Sequence, residues 1–228
     1  MQRLVARELM DDAQWRGSME EWRASFRDLA RVHRFLGGWS ALRHALQRLP
    51  EPPQRFVDVG TGDADVPLKI LDYLSRRGVQ ASCVALDQSE RVVAIAQERI
   101  RGRSGIVLAL GDARALPFTA ASFDLATLNL SLHHFEPPDA VQVLRELARV
   151  ARDVIVNDLR RSRIAWAFAR TVFPFFTSNR FTRNDGPLSV LRAYTEREAY
   201  ELARQAGWQR IEVRSHPGYF MTVVGGAA

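Results

Sequence analysis

From Arg55 onward, short apolar runs alternate with stretches in which apolar residues recur every three or four positions. The runs are Phe56 to Val59, Ser82 to Leu86, Ile106 to Leu110, Phe123 to Leu128 and Val154 to Val156. Each is continuous and rich in β-branched residues, as strands buried on both faces of a parallel sheet are. Between them, Val66 to Arg77, Ser89 to Ile100 and Pro138 to Arg149 carry helical periodicity. Strands alternating with helices predict an α/β fold with a mostly parallel sheet covered on both faces. A further helix is expected from a cap at Thr195 through Ala206, and then Gln209 to Ser215 and Tyr219 to Val224, split by Pro217-Gly218, predict a terminal antiparallel pair.

Residues 1–54 follow another pattern. Ser18 with Glu21 has the form of a capping box, and Met19, Trp22, Phe26 and Leu29 then recur at helical spacing, which predicts a helix to Leu36. Gly37-Gly38 ends it, Ser40 is the expected cap of a second helix through Leu49, and Pro50 to Pro53 breaks the chain. The expected organisation is therefore a helical cap at 1–54 before a domain at 55–228. Within that domain the segment at about 160–194 exceeds a usual connection. It holds Trp166, Phe168, Phe173, Phe175, Phe176 and Phe181, with no acid from Ile164 to Arg180. Such an insertion either lids an apolar pocket or packs on the amino-terminal helices; as a lid, it would offer Trp166, Phe175 and Phe176 to a substrate.

Composition narrows the function classes. At 228 residues with 46% hydrophobic and 25% charged, the chain suits one globular domain. The net charge of +6 invites a phosphate partner, but basic residues alternate with acids, as in Arg145-Glu146 and Glu196-Arg197-Glu198, instead of clustering. No nucleic-acid partner is expected on that ground. Cys83 is the single cysteine, which rules out an internal disulfide and points to a reducing compartment. Arg7 and Glu8 interrupt the first apolar residues, and no run reaches membrane-spanning length. The expectation is a cytoplasmic protein, monomer or homodimer, without stable membrane insertion.

The chemistry gathers at the strand ends. Asp58-Val59-Gly60-Thr61-Gly62-Asp63-Ala64-Asp65 closes the first strand and leads into a helix, with Gly60 and Gly62 where the backbone must turn and approach a ligand. A dinucleotide fingerprint starting at Gly60 would need glycine at 65, where Asp65 stands, and an acid there repels a pyrophosphate. A ligand bearing positive charge suits these acids better. The second strand ends in Asp87-Gln88, whose carboxylate can take the two hydroxyls of a ribose. The third ends in Gly111-Asp112-Ala113, and the fourth runs into Asn129-Leu130-Ser131-Leu132-His133-His134. Any one of these residues would serve equally well as a helix cap or turn; four strand ends in succession are what distinguish the pattern.

In that order, from about Arg55 to Leu159, the segments resemble the successive motifs of class I methyltransferases that use S-adenosylmethionine (SAM). The resemblance implies a Rossmann-like, mostly parallel seven-stranded sheet with an antiparallel terminal strand. It also implies SAM as cofactor, with Asp58, Gly60, Thr61 and Gly62 around its methionine end, Asp87 and Gln88 at the ribose, Asp112 and the Ala113 backbone at adenine, and Asn129 beside them. The family pattern would place glycine at 64, where this chain has Ala64.

His133 and His134 follow the fourth strand where the methyl group should lie, and one of them is expected to act as base or orienter. In an extended segment adjacent side chains point to opposite faces, so only one is expected to face the site. With no cysteine or further histidine near them in sequence, no metal is expected. Val156 to Ser162, Leu9 to Asp12 and Leu29 to Arg34 are similar to bacterial methyltransferases of polyketide-derived phenols and quinones, including those associated with type III polyketide synthases. That similarity implies a small aromatic acceptor from secondary metabolism and O-methylation of a phenol or quinol. C-methylation of the same ring, and an RNA methyltransferase or RNA-binding protein on the same fold, are the alternatives.

Overall fold

The computed structural model describes residues 1–6, 8–11 and 18–226, the side chains of 11 and 173–176 excepted. Its sheet comprises β1 (Arg55–Val59), β2 (Ser82–Asp87), β3 (Ile106–Leu110), β4 (Phe123–Asn129), β5 (Ala151–Leu159), β6 (Arg210–Ser215) and β7 (Phe220–Gly226). The spatial order is β3-β2-β1-β4-β5-β7-β6. The first five strands are parallel, and β7 inserts antiparallel between β5 and β6. The seven strands and the antiparallel terminal hairpin agree with expectation. Strand β5 is longer than its apolar run, because it continues through buried Asn157 and Asp158 to Leu159.

Eight helices occur among the described residues: α1 (Met19–Phe35), α2 (Gly38–Gln47), α3 (Asp65–Ser75), α4 (Glu90–Ile100), α5 (Pro137–Val150), α6 (Arg163–Phe176), α7 (Arg180–Arg192) and α8 (Glu196–Gln205). Ser18 and Thr195 cap α1 and α8 in full capping boxes with Glu21 and Glu198. Each box pairs the helix's orphan N–H groups with side-chain oxygens. Helix α2 starts earlier than Ser40 implies, after Gly37 at φ 93°, a left-handed turn natural to glycine.

The sheet is buried on both faces. Phe56, Ile70, Leu74, Leu125 and Ile155 form one core with Leu42 and Leu46 of α2, so the second helix of residues 1–54 shares the core of the α/β sheet. On the opposite face Val57, Leu128, Leu144, Leu147, Val156 and Trp208 pack together. Removing one such leucine side chain costs about 2–5 kcal/mol. Register then brings polar residues side by side at the carboxyl edge: Asp58 lies beside Thr127, and Asn129 beside Asn157. Strand order reverses between β1 and β4, and open α/β sheets bind ligands at such a switch point.

Candidate active site

A cleft of about 1640 Å³ opens over these strand ends. Ordinary small-molecule pockets hold roughly 300–1,000 Å³, so there is space for a nucleoside-sized cofactor and a second molecule. Gly60 and Gly62, at φ 64° and 58°, form the turn after β1. A Cβ at Gly60 would lie 2.7 Å from the Ser131 hydroxyl, and one at Gly62 would lie 3.0 Å from the Phe26 ring. Ala64 is buried and left-handed at φ 62°, so the turn keeps its glycine geometry at the strain of one methyl group.

Asp58 sits beneath this turn. Its carboxylate accepts from Thr127 Oγ1 at 2.5 Å, Asn129 Nδ2 at 2.9 Å and Thr61 Oγ1 at 2.8 Å. Full burial pushes its pKa up to about 6, and the three hydrogen bonds oppose that rise. The sequence suggested contact with the cofactor itself; in the structure Asp58 organises Thr61 and Asn129, which line the cleft. Asp87 lines the cleft directly, accepting from the Gly62 and Ser89 backbone N–H groups at 3.1 and 3.0 Å. Burial raises its pKa and the backbone donors offset part of that. The Gln88 backbone also donates to this carboxylate, and with about four acceptor sites on a carboxylate Asp87 keeps capacity for a ribose hydroxyl; Gln88 lies next to it on the rim.

At β3 the structure divides the expected pair. Gly111 and Ala113 line the cleft, whereas Asp112 turns to Arg114, which donates at 2.7 Å and holds the carboxyl below its ordinary pKa. Asp63 and Asp65 are paired with Arg99, and Asp65 also with Lys69. The residues present fit SAM: the glycine turn leaves room for the close approach of a ligand, and Asp87, the acid of this group that lines the cleft without an arginine or lysine partner among the described residues, would take a ribose hydroxyl.

The other half of the cleft is built around the histidines. Leu132–His134 forms a 3-10 turn, so strand alternation does not apply and both rings face the cleft, with centroids 4.3 Å apart. The expectation that only one would turn inward is corrected by that tight winding. His133 Nδ1 lies 2.7 Å from Asp158 Oδ1, and the His133 backbone N–H donates to Asp158 Oδ2 at 2.9 Å. Burial pushes the Asp158 carboxyl up, but the imidazole and backbone donors bring it below its ordinary value.

Glu8, buried and distant in sequence, approaches both rings, 3.7 Å from His133 Nε2 and 3.9 Å from His134 Nε2. Donor atoms of the three residues lie within 4.8 Å of one another, close enough to hold an ion, so the fold supplies a third potential ligand that local sequence lacked. Ser189 Oγ donates to the Glu8 carboxylate at 2.9 Å, and the Arg192 guanidinium stands 3.6 Å away. The segment carrying Glu8 is tied down by Arg3, which donates to Arg192 O, Glu136 and Phe135 O and covers the Tyr194 ring at 4.5 Å.

Aromatic walls complete this half. Phe168 and Tyr219 line it, Trp22, Phe26 and Phe181 line the cleft nearer Gly62 and α4, and Trp166, which is not among the lining residues, packs on the cluster of Leu159, Ala165 and Phe220. Of the three aromatics chosen from the sequence, Trp166 is thus outside the cleft lining, and the side chains of Phe175 and Phe176 lie outside the described residues. Sequence reasoning gives no role to Glu8, His33, Asp158, Ser189 or Arg192; His33 and Asp158 fall in the segments Leu29 to Arg34 and Val156 to Ser162, and Trp22 and Phe26, at i and i+4, show as a helical stripe.

This sheet order, with a glycine turn after β1, an acid at the end of β2 and another just past β3, together with the similarities to known proteins, supports a class I SAM-dependent methyltransferase. A family model described as a methyltransferase domain matches residues 56–153. The chain is 36% identical over 119 residues to a demethylmenaquinone methyltransferase of Shouchella clausii, covering 50% of each protein. It is 28% identical over 182 residues to another from Thermotoga maritima, covering 74% of each. It thus spans about half the length of the first of these relatives. A SAM-dependent methyltransferase from Aquifex aeolicus superposes with a TM-score of 0.65 at 21% identity, covering 92% of this chain and 98% of that one. That likeness concerns the fold. No helix among the described residues is long and apolar enough to cross a membrane.

Proposed function

We propose that the protein moves the methyl group of SAM onto a small hydroxylated aromatic ring, a phenol or quinol. The Asp158–His133 pair at the acceptor end of the cleft carries this reading. SAM supplies an electrophilic sulfonium methyl, so in-line alignment provides much of the acceleration. What the protein must add is acceptor activation. A phenol with a pKa of ~10 has to lose its proton, and Asp158, by taking the Nδ1–H, leaves His133 Nε2 as the basic nitrogen. His134, more exposed, orients the same hydroxyl. Ser189 and Arg192 keep Glu8 beside both rings, where its charge favours the imidazolium that forms. The Arg192 cation at Glu8 favours proton handling over metal binding. Phe168 and Tyr219, with ring centroids 5.0 Å apart, offer apolar contact to the ring.

A phenolate carries its charge on both oxygen and ring carbon, so the same deprotonation opens either methylation; the carbon route then also loses the ring C–H proton as the methylated dienone returns to the aromatic phenol. The relatives named demethylmenaquinone methyltransferase favour a quinol-type ring and a carbon destination, and the position of His133 favours the oxygen. Incubation with ¹³C-methyl SAM and a panel of naphthols, hydroquinones and simple phenols, with bulk RNA as control, tests the reading. A labelled methoxy or ring methyl in the product separates the two outcomes, and label found in RNA alone overturns both.

A further inference from the structure

His33 is a buried residue of α1 that also lines the cleft, and nothing in the chemistry above uses it. Its ring enters edge-on to Phe220, with centroids 5.8 Å apart, in a gap that exists because position 38 is glycine: a Cβ there would be 2.5 Å from His33 Cδ2. The hydrogen bonds of Asn157 settle the tautomer. Asn157 Nδ2 donates to Gly38 O at 3.2 Å, so that atom is the amide nitrogen and has a second hydrogen to give. It also stands 3.1 Å from His33 Nε2, which must therefore accept. The proton of the neutral ring is then on Nδ1. Burial, reinforced by the Lys69 charge and opposed by Asp65, lowers the pKa to about 4, which agrees with a neutral ring at physiological pH.

Nδ1 is buried and has no hydrogen-bond partner. An unsatisfied buried donor costs roughly 1–3 kcal/mol, and such a cost on the wall of a ligand cleft is relieved when a ligand brings an acceptor. Leu36 and Leu130 flank the same cleft with apolar surface, and in apolar surroundings a single donor discriminates more strongly than in water.

We propose that His33 is a ligand-reading residue whose Nδ1–H donates to an oxygen of the molecule bound in the cleft, a carboxylate or carbonyl oxygen. The inference rests on the cleft being the cofactor and acceptor site. Two sources present that chemistry: the amino-acid carboxylate of the cofactor and an oxygen of the aromatic acceptor.

The test uses ¹⁵N-histidine-labelled full-length protein and its His33→Phe variant, which keeps a ring against Phe220. Three ligands are titrated by calorimetry and by imidazole NMR: S-adenosylhomocysteine, 5′-methylthioadenosine, which lacks the amino-acid carboxylate, and a 1,4-naphthoquinone as acceptor analogue. If the cofactor is the source, His33→Phe binds S-adenosylhomocysteine about tenfold more weakly and methylthioadenosine unchanged. If the acceptor is the source, only the naphthoquinone weakens. In the wild type the corresponding ligand moves the His33 Nδ1–H resonance downfield and slows its exchange, a readout that holds even if the variant folds poorly. The assignment is overturned if wild-type protein binds these ligands with no change at His33 Nδ1. Failure of S-adenosylhomocysteine to bind the wild type at all refutes the reading of the cleft itself.

Discussion

Asp158 holds His133 at two points, one carboxylate oxygen on the ring Nδ1 at 2.7 Å and the other on the backbone N–H at 2.9 Å. One strand-end acid thus sets both the position of the turn after β4 and the tautomer of the ring it presents. Asp158→Asn can preserve the backbone contact and lose the charge. Its kcat is expected to fall about 10²- to 10⁴-fold, as for loss of general-base catalysis, with SAM affinity unchanged. His133→Ala should show the same loss, relieved at high pH on acidic phenols that ionise unaided. Near-wild-type kcat across pH in both variants would remove the pair from the mechanism.

Asp87→Ala removes the carboxylate facing the cofactor half and the acceptor of the Gly62 N–H. SAM binding is expected to weaken by about 1.5–3 kcal/mol, the range for hydrogen bonds to a charged group. Calorimetry measures it directly, and an unchanged Kd excludes Asp87 from the site.

Opposed pH dependences are predicted for two buried groups. His33 is held neutral, its pKa lowered from 6.5 to about 4, so its contribution stands above pH 6.5 and is lost as the pH falls toward 4. Asp58 is raised from 3.8 to about 6, so ionising it costs stability as the pH rises through that interval. Each effect is on the order of 3 kcal/mol at 1.36 kcal/mol per pH unit, and in the wild type they offset each other. Urea midpoints at pH 4.5 and 7 should therefore diverge in the variants: His33→Phe gains relative stability at the acid pH, and Asp58→Asn loses it. Parallel shifts in the two variants would contradict both assignments.

Phe168 and Trp166 lie two residues apart on α6 and face different surroundings, Phe168 the cleft and Trp166 the Leu159 cluster. Phe168→Ala is expected to raise the acceptor KM several-fold with kcat little changed, the mark of lost uniform binding. Trp166→Ala should instead lower Tm, with a cost of about 3 kcal/mol or somewhat less because it is only partly buried. Steady-state kinetics beside thermal melts distinguish the two, and a KM effect confined to Trp166 would reverse their roles.

What could be read from the sequence was local. The capping boxes of Ser18 with Glu21 and Thr195 with Glu198 each span four residues, and the glycine turn Gly60 to Ala64 spans five, so local spacing is enough to read them. Strand β5 was under-read because Asn157 and Asp158 are polar yet buried, and the partners that make this tolerable, Asn129, His33 and His133, come from three other segments. The sequence puts the histidine pair after the fourth strand, and an extended backbone there would point one ring inward; the 3-10 turn Leu132–His134 turns both to the cleft. Glu8 carried no signal at all, since its partners Ser189 and Arg192 lie at the far end of the chain. Pattern reveals which residues edge the sheet; it does not reveal which distant residue closes over them.

The antiparallel insertion of β7 has a consequence for how the chain matures. During synthesis β5 emerges with one side zipped to β4 and the other bare, and its eventual neighbour is more than sixty residues later on the ribosome's schedule. Until Phe220–Gly226 arrives, the strand bearing Asn157 and Asp158 is a sticky apolar edge, the kind that recruits other chains. Nascent protein halted before β7 should accordingly partition to chaperones or aggregates, whatever the quality of its cofactor turn.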